Sequence, residues 1–193
     1  MAHFRNPSQA DAMTSDHATP ADAPAGSTRM RTVIDDLVDN AGAHAAAFDL
    51  GDLPLPPSRR LAVLACMDSR VDVFALLGLQ VGEAHVIRNA GGVVSDDMIR
   101  SLALSQRRMG TESIMLVHHT NCGMQAVGDQ EFRESLEREV GVQPAWSVPT
   151  SSDLEESVRQ SIERIRASPF IPHTDDVRGF IYDVHTGALT EVS

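Results

Sequence analysis

Cysteine and long apolar runs are both scarce in this chain. Its 193 residues include only two cysteines, too few for the disulfide framework of a small secreted domain. One long-range disulfide and a pair of metal-binding or catalytic thiols both remain open. No apolar run approaches the roughly 18 residues that span a bilayer, and the N-terminus lacks the apolar stretch of a secretory signal. We therefore expect a cytoplasmic protein with no membrane segment.

Positive charge is also in short supply. The chain has 16 Lys and Arg against 27 Asp and Glu, which gives a formal net charge of −11. Because nucleic acids attract surfaces with clustered Lys and Arg, no nucleic-acid partner is expected. The same charge argues against binding to an anionic membrane surface. The sequence also lacks a Gly-x-x-x-x-Gly-Lys-Ser/Thr loop and a dinucleotide-binding glycine fingerprint, which argues against common nucleotide-binding sites.

The composition that is present indicates one globular domain behind a tail. Hydrophobic residues make up 42% of the chain and charged residues 22%, as in globular proteins. Residues 1–29 are rich in Ala, Asp, Ser, Thr and Pro and offer little to bury, so we predict a disordered N-terminal tail. Residues 30–193 are long enough to form a single domain with its own core.

Strand patterns alternate with helix patterns along this domain. The run "LAVLA" before Cys66 is continuously apolar, as in a strand buried on both faces. Further strands are predicted at Ala84–Ile87 and in "ESIMLVHHT", and a hairpin or edge strand in "RGFIYDVHTGALTEV". A leading helix is expected near residues 30–48, and others in "DVFALLGL", "SDDMIRSLALSQRRMG", "DQEFRESLEREVG" and "SSDLEESVRQSIERIRAS". This alternation predicts the α/β class, with a mostly parallel central sheet flanked by helices.

Both cysteines fall where predicted strands end. Cys66 opens the segment "CMDSR" after the first strand, and Cys122 lies in "HHTNCGM" after the third. Because functional groups gather beyond the carboxyl ends of parallel strands, we expect both segments at one edge of the sheet. His119 and Cys122 are three positions apart across a turn, so their side chains can converge on one ion that Cys66 also reaches. Two thiolates and one imidazole suit zinc, and a fourth position stays open to water, as in catalytic sites.

Simpler explanations exist for each of these residues alone. An isolated cysteine after an apolar run is usually a small buried hydrophobe, and a lone His-x-x-Cys is weak evidence. His118 precedes His119 on a strand, so it should point the opposite way, and we expect a packed or hydrogen-bonded histidine. The two cysteines, the histidine and the nearby charges together favour the metal site.

Asp68 and Arg70 form a second unit beside Cys66. A planar guanidinium can hold a carboxylate through two hydrogen bonds, although an exposed ion pair contributes little stability. Next to a zinc site the pair has another use. If Arg70 holds Asp68 away, the fourth metal position is open to water. If Asp68 turns inward, it becomes a metal ligand and the site is closed.

These motifs resemble those of the β-class carbonic anhydrases, in particular the short microbial branch. The resemblance rests on Cys-x-Asp-x-Arg, then "VIRNAGG" at 86–92, then His-x-x-Cys, in that order. It runs from about residue 30 to residue 193 and includes the closing segment "VRGFIYDVHTGALTEV". Asn121 stands where many members have Asp, at a position that is not a ligand.

The resemblance implies a fold, an assembly and a reaction. The fold would have four parallel strands plus an antiparallel edge strand. The chain would form a homodimer, often paired into a tetramer, with the leading helix packed on the partner subunit. The reaction would be reversible hydration of carbon dioxide to bicarbonate and a proton by zinc-bound hydroxide. Cys66, His119 and Cys122 would be the Zn²⁺ ligands, with Asp68 and Arg70 as the catalytic dyad.

Two other functions are compatible with the same motifs. The resemblance does not place the residues that line the substrate pocket. A carbonyl sulfide or carbon disulfide hydrolase on the same scaffold is an alternative, since the same nucleophile attacks those carbons. A zinc-binding or redox-sensing module without catalysis is another, although such a site would need neither Asp68 nor Arg70.

Overall fold

The computed structural model describes residues 29–148 and 153–193 in two compact units, one ending at Asp49 and the other beginning at Leu50. All but the last residue of the predicted N-terminal tail lies outside the described residues, so the disordered tail stays a prediction. Within the described ranges, no helix combines the length and the apolar character needed to cross a bilayer.

The first unit contains helix α1, Val33–Ala46, which confirms the predicted leading helix. Thr32 caps it, because its hydroxyl accepts a hydrogen bond from the Asp35 backbone while the Asp35 carboxylate accepts one from the Thr32 backbone. No residue of α1 is buried. Its apolar residues at helical spacing are 59–71% exposed, and they are Val33, Ile34, Leu37 and Val38.

The second unit is built on a sheet of five strands in the order β2-β1-β3-β4-β5. The first four strands are parallel, and β4 and β5 pair as an antiparallel hairpin. This confirms the predicted parallel core with an antiparallel edge strand. The strands are β1 Leu61–Cys66, β2 Ala84–Asn89, β3 Ser113–His119, β4 Val177–Tyr182 and β5 Leu189–Val192. The helices are α2 Val73–Leu77, α3 Asp96–Met109, α4 Asp129–Val140 and α5 Leu154–Arg166.

Strand β2 is longer than its apolar residues predict. The expected strand ends at Ile87, whereas the observed strand continues to Asn89. Pairing with β1 explains the difference, because Arg88 and Asn89 stand in register with Ala65 and Cys66. Backbone hydrogen bonding therefore carries β2 as far as the polar end of β1.

Local signals fix the helix that follows. The Ser95 hydroxyl accepts a hydrogen bond from the Met98 backbone, and α3 ends at Gly110, whose φ of 70° lies in the left-handed region that glycine tolerates. Both positions agree with the sequence pattern. Because these caps set the ends of α3, they also set where the chain re-enters the sheet as β3.

Strand β1 lies between two apolar clusters, one on each face of the sheet. Ala62 and Leu64 pack with α3 and α5, while Val63 and Ala65 pack with α2. Full burial of a Val or Leu side chain stabilises a fold by about 1.5–3 kcal/mol. The continuous apolar run is thus explained by burial on both faces, and Cys66 sits where that buried strand ends.

Candidate metal centre

The carboxyl ends of β1 and β3 bring the three predicted ligands together. Cys66 is the last residue of β1 and His119 is the last residue of its neighbour β3. Asn121 has a left-handed φ of 54°, and the turn at this residue presents Cys122 at the same edge. One ligand atom from each of the three side chains lies within 4.8 Å of the others. The sheet edge therefore gathers two thiols and one imidazole.

The distances and unpartnered atoms of this cluster fit a zinc ion. The Cys66 and Cys122 sulfur atoms lie 3.9 Å apart, and both cysteines are free. Tetrahedral zinc with bonds of about 2.3 Å to sulfur separates two sulfur atoms by about 3.8 Å. His119 Nδ1 donates to the Thr120 carbonyl at 2.9 Å, which leaves Nε2 with the lone pair. That Nε2 atom is buried and has no hydrogen-bond partner among the described residues.

The surroundings also favour the thiolate form of Cys66. Burial alone raises the pKa of this thiol, but contact with His119 and the backbone N–H groups of Asp68 and Gly91 outweighs burial and lowers the pKa. Contact with Cys66 raises the pKa of His119. Since zinc binds thiolates rather than thiols, a cysteine that ionises readily suits a ligand position.

Arg70 holds the Asp68 carboxylate at the border of the ligand cluster. Its Nε donates to Oδ1 at 2.9 Å and its Nη2 to Oδ2 at 2.7 Å, in the forked geometry expected from the sequence. The Asn121 carbonyl accepts a further bond from Nη2 at 2.9 Å and steadies the guanidinium. These Arg70 hydrogen bonds hold the pKa of Asp68 well below its usual range. Asp68 Oδ2 lies 3.8 Å from His119 Nε2.

Arg88 is a site residue that the sequence reasoning missed. Its Nε donates to the Cys66 carbonyl at 2.8 Å and its Nη2 to the Asp68 carbonyl at 2.6 Å. One side chain from β2 thus ties the backbone of a candidate ligand to that of the candidate dyad. The signal was available in "VIRNAGG", because an arginine at the end of the neighbouring strand reaches the same sheet edge.

His118 is buried, as expected of a packed or hydrogen-bonded histidine. It is 2% exposed, and its Nε2 lies 3.1 Å from the Gly92 carbonyl oxygen. The pKa of this imidazole is lowered to about 4, mainly by burial. The effect of burial outweighs that of the hydrogen bond with Gly92, which raises the pKa. His118 is therefore a neutral histidine next to the candidate ligand His119.

An apolar groove of about 690 Å³ opens next to the ends of β1 and β2. A much smaller cavity of about 30 Å³ is lined by His119 and Cys122 themselves. Val93 and Met124 line both spaces. The groove walls also include an aromatic pair, Phe132 and Trp146, with ring centroids 6.3 Å apart. The sequence could not place these pocket residues.

The chain is similar to known carbonic anhydrases and, at lower identity, to carbon disulfide hydrolases. The family model described as Carbonic anhydrase matches residues 61–189. Over 162 residues the chain is 51% identical to β-carbonic anhydrase 1 of Mycobacterium tuberculosis, spanning 84% of this chain and 99% of that protein. The crystal structure of carbonic anhydrase from Streptococcus mutans matches with a TM-score of 0.80 and 41% identity, over 86% of this chain and 100% of that chain. A carbon disulfide hydrolase of Acidithiobacillus thiooxidans is 35% identical over 156 residues, spanning 70% of this chain and 78% of that protein.

Proposed function

Because the chain belongs to the β-carbonic anhydrase family, we propose that it hydrates carbon dioxide reversibly to bicarbonate and a proton on a zinc ion held by Cys66, His119 and Cys122. The observation that carries the ligand assignment is that one ligand atom of each residue lies within 4.8 Å of the others, while the buried His119 Nε2 has no hydrogen-bond partner among the described residues. When bound, zinc lowers the pKa of a water ligand, so that a strong nucleophile is available near neutral pH.

Asp68 and Arg70 orient the reacting water in this proposal. The hydrogen bonds from Arg70 keep Asp68 ionised, and an ionised carboxylate can only accept hydrogen bonds. Asp68 therefore accepts the O–H of the water and turns its lone pair toward the substrate carbon. Because Arg70 binds both carboxylate oxygens, it also keeps Asp68 from acting as a fourth metal ligand.

The apolar surface beside the ligands suits a substrate without charge. Val93 and Met124 face both the groove and the small cavity that His119 and Cys122 line. Carbon dioxide carries no net dipole, so apolar walls can hold it and leave its carbon free for attack by the nucleophile. Bicarbonate is charged and is held less well by such walls, which favours its release.

The test compares zinc content and carbon dioxide hydration in matched variants. Asp68→Asn and Arg70→Ala are expected to keep zinc and to lose about 10²-fold or more in hydration rate, the range for a lost proton-handling group. Cys122→Ser should lose zinc. Arg178→Ala is the control, because Arg178 makes a similar forked pair with Glu191 at 2.7 and 2.5 Å on the β4–β5 hairpin. Zinc retention with full activity in both dyad variants would refute the dyad, and a metallated Cys122→Ser protein would refute the ligand set.

The assembly in this proposal is a homodimer, with the tetramer as the larger alternative. Its support is the row of exposed apolar side chains on α1, since exposed apolar surface of this kind commonly marks a protein contact. Leu37→Asp places a charge in the middle of that row. Light scattering should report a dimer for the parent protein and a smaller mass for Leu37→Asp. A dimer unchanged by the substitution would remove α1 from the contact.

Substrate preference separates carbon dioxide hydration from carbon disulfide hydrolysis. The mycobacterial carbonic anhydrase is 51% identical to this chain and the carbon disulfide hydrolase 35%, so carbon dioxide is the expected substrate. Turnover of carbon dioxide, carbonyl sulfide and carbon disulfide should be measured on one preparation, and faster turnover of carbon disulfide would reverse the assignment.

We propose a cytoplasmic location for the protein, because its two free cysteines need reducing conditions to stay available as ligands.

A further inference from the structure

His118 makes a buried contact that the proposed reaction does not use. It lies on β3 directly before His119, and its Nε2 is 3.1 Å from the carbonyl oxygen of Gly92. A carbonyl can only accept a hydrogen bond, so Nε2 carries the proton and donates it. The side chain is thereby committed to one backbone group, on the segment that follows β2.

That carbonyl belongs to a glycine turn that touches the candidate ligand Cys66. Gly91 and Gly92 have φ values of 82° and 67°, which glycine adopts without strain. A Cβ atom on Gly92 would lie 2.9 Å from the Cys66 backbone nitrogen and 3.1 Å from the Ala65 carbonyl carbon. The turn therefore lies directly against the backbone of Cys66, closer than any residue with a side chain could approach.

The turn also lies beside the other candidate ligands. Gly91 lines the small cavity together with His119 and Cys122. Contacts outside the ligand set orient ligands and tune a metal. Any residue that fixes the position of Gly91 and Gly92 consequently fixes how Cys66 is presented to a metal.

We propose that His118 is a positioning residue for Cys66: by donating from Nε2 to the Gly92 carbonyl, it holds the Gly91–Gly92 turn against the backbone of this ligand and so fixes where Cys66 meets the metal. The inference rests on the proposed function in one respect, that Cys66 is a zinc ligand. His118 also lines the small cavity with His119 and Cys122, but in this role it acts through the turn and not on substrate or metal.

Cobalt(II) substitution provides the measurement, because the thiolate-to-cobalt charge-transfer band reports how the ligand sulfur meets the metal. His118→Leu removes the donor and should move this band to longer wavelength, since a Cys66 that is no longer held in place binds cobalt more weakly. Zinc affinity, measured by competition with a chelator, should fall about 10-fold or more, as for other outer-contact losses. His118→Gln keeps an N–H donor and should restore most of the parent spectrum.

His85 provides the matched control. It lies on β2, and its Nδ1 hydrogen-bonds to the Ser105 hydroxyl at 2.8 Å on α3 rather than to the glycine turn. His85→Leu therefore removes a histidine hydrogen bond without touching Cys66, and should leave the cobalt spectrum and zinc affinity unchanged. An equal shift in this variant would reduce the His118 effect to general loss of packing and overturn the proposal.

Gly92→Ala tests the same contact with His118 intact, and so covers the case in which His118→Leu does not fold. Its added methyl group pushes the turn away from Cys66, and the charge-transfer band should move in the same direction. Parent-like spectra in Gly92→Ala and in a folded His118→Leu protein would overturn the proposal. Cys66→Ser distinguishes the premise: if it keeps zinc and the parent cobalt spectrum, the ligand assignment fails, whatever His118 does.

Discussion

Removal of the Arg88 side chain tests whether the end of β1 must be held for the site to work. Arg88 donates to the carbonyl oxygens of Cys66 and Asp68, at 2.8 and 2.6 Å. In Arg88→Ala both carbonyls lose this partner together. The proposed ligand Cys66 and the proposed water-orienting carboxylate of Asp68 are then free to shift relative to each other, and small misplacements of reacting groups are costly in rate.

The size of the effect follows from the burial of the two hydrogen bonds. A hydrogen bond to a charged group contributes about 1.5–3 kcal/mol. The bond to Cys66 is partly buried, whereas the bond to Asp68 is exposed and water can replace it. We therefore count only the hydrogen bond to the Cys66 carbonyl, at about 2 kcal/mol. If its loss destabilises the transition state by that amount, kcat/KM falls about 30-fold.

Stopped-flow hydration of carbon dioxide, with zinc measured on the same samples, provides the assay. Arg88→Ala should lose about 30-fold in kcat/KM, and Arg88→Lys should fall between it and the parent, since an ammonium cannot reproduce the fork. Arg166→Ala is the control, because Arg166 also donates to a strand carbonyl, that of Val177 at 3.1 Å. The kcat/KM of Arg166→Ala should stay within about twofold of the parent value.

If kcat/KM of Arg88→Ala stays within about twofold of the parent value, the Arg88 side chain is not needed to hold the site. That outcome would mean that backbone pairing alone holds the end of β1. The Met67 N–H group donates to the Asn89 carbonyl at 2.8 Å just beyond the strand, and this contact would then be sufficient.

Two further predictions concern stability. A Cβ atom on Gly179 would lie 2.2 Å from Val158 Cγ1, so Gly179→Ala should lower the free energy of unfolding by about 1–3 kcal/mol in urea titrations. On α1, a Cβ atom at Gly42 would meet no atom of the described residues within 4 Å, so Gly42→Ala should be neutral or stabilising, and equal effects of the two substitutions would contradict the packing argument. Hydrogen bonds from Arg178 lower the pKa of Glu191 in the folded protein, so its stabilising contribution is complete above its ordinary pKa and is lost as pH falls through the folded pKa. The stability advantage of the parent over Glu191→Gln should accordingly shrink from about pH 5 to pH 3, and an advantage that does not change with pH would contradict the pairing.

The elements of the fold were predictable where local signals and burial agree. The run before Cys66 is apolar at every position because β1 is buried on both faces, and Ser95 and Gly110 mark the ends of α3. The extension of β2 to Asn89 was not predictable, since it depends on pairing with β1 rather than on its own side chains.

The residues of the candidate site were likewise predictable only in part. Cys66, His119 and Cys122 could be named from the sequence, because each follows or ends a recognisable strand and their residue types suit one metal. The contacts of Arg88 and the walls of the groove could not. They depend on where side chains and loops distant in sequence meet, and Phe132 and Trp146 reach the groove from segments beyond the strands.

The placement of the two cysteines on different strand ends also has a consequence for the order of folding. Cys66 and Cys122 are 56 positions apart, and they meet only because β1 and β3 pair side by side. In the unfolded chain His119 and Cys122 are close neighbours, whereas Cys66 reaches them only after a long loop has closed. If all three residues bind zinc as proposed, full coordination follows the pairing of β1 with β3. The bound metal would then cross-link that long loop, and its uptake during refolding would report when the centre of the sheet has formed.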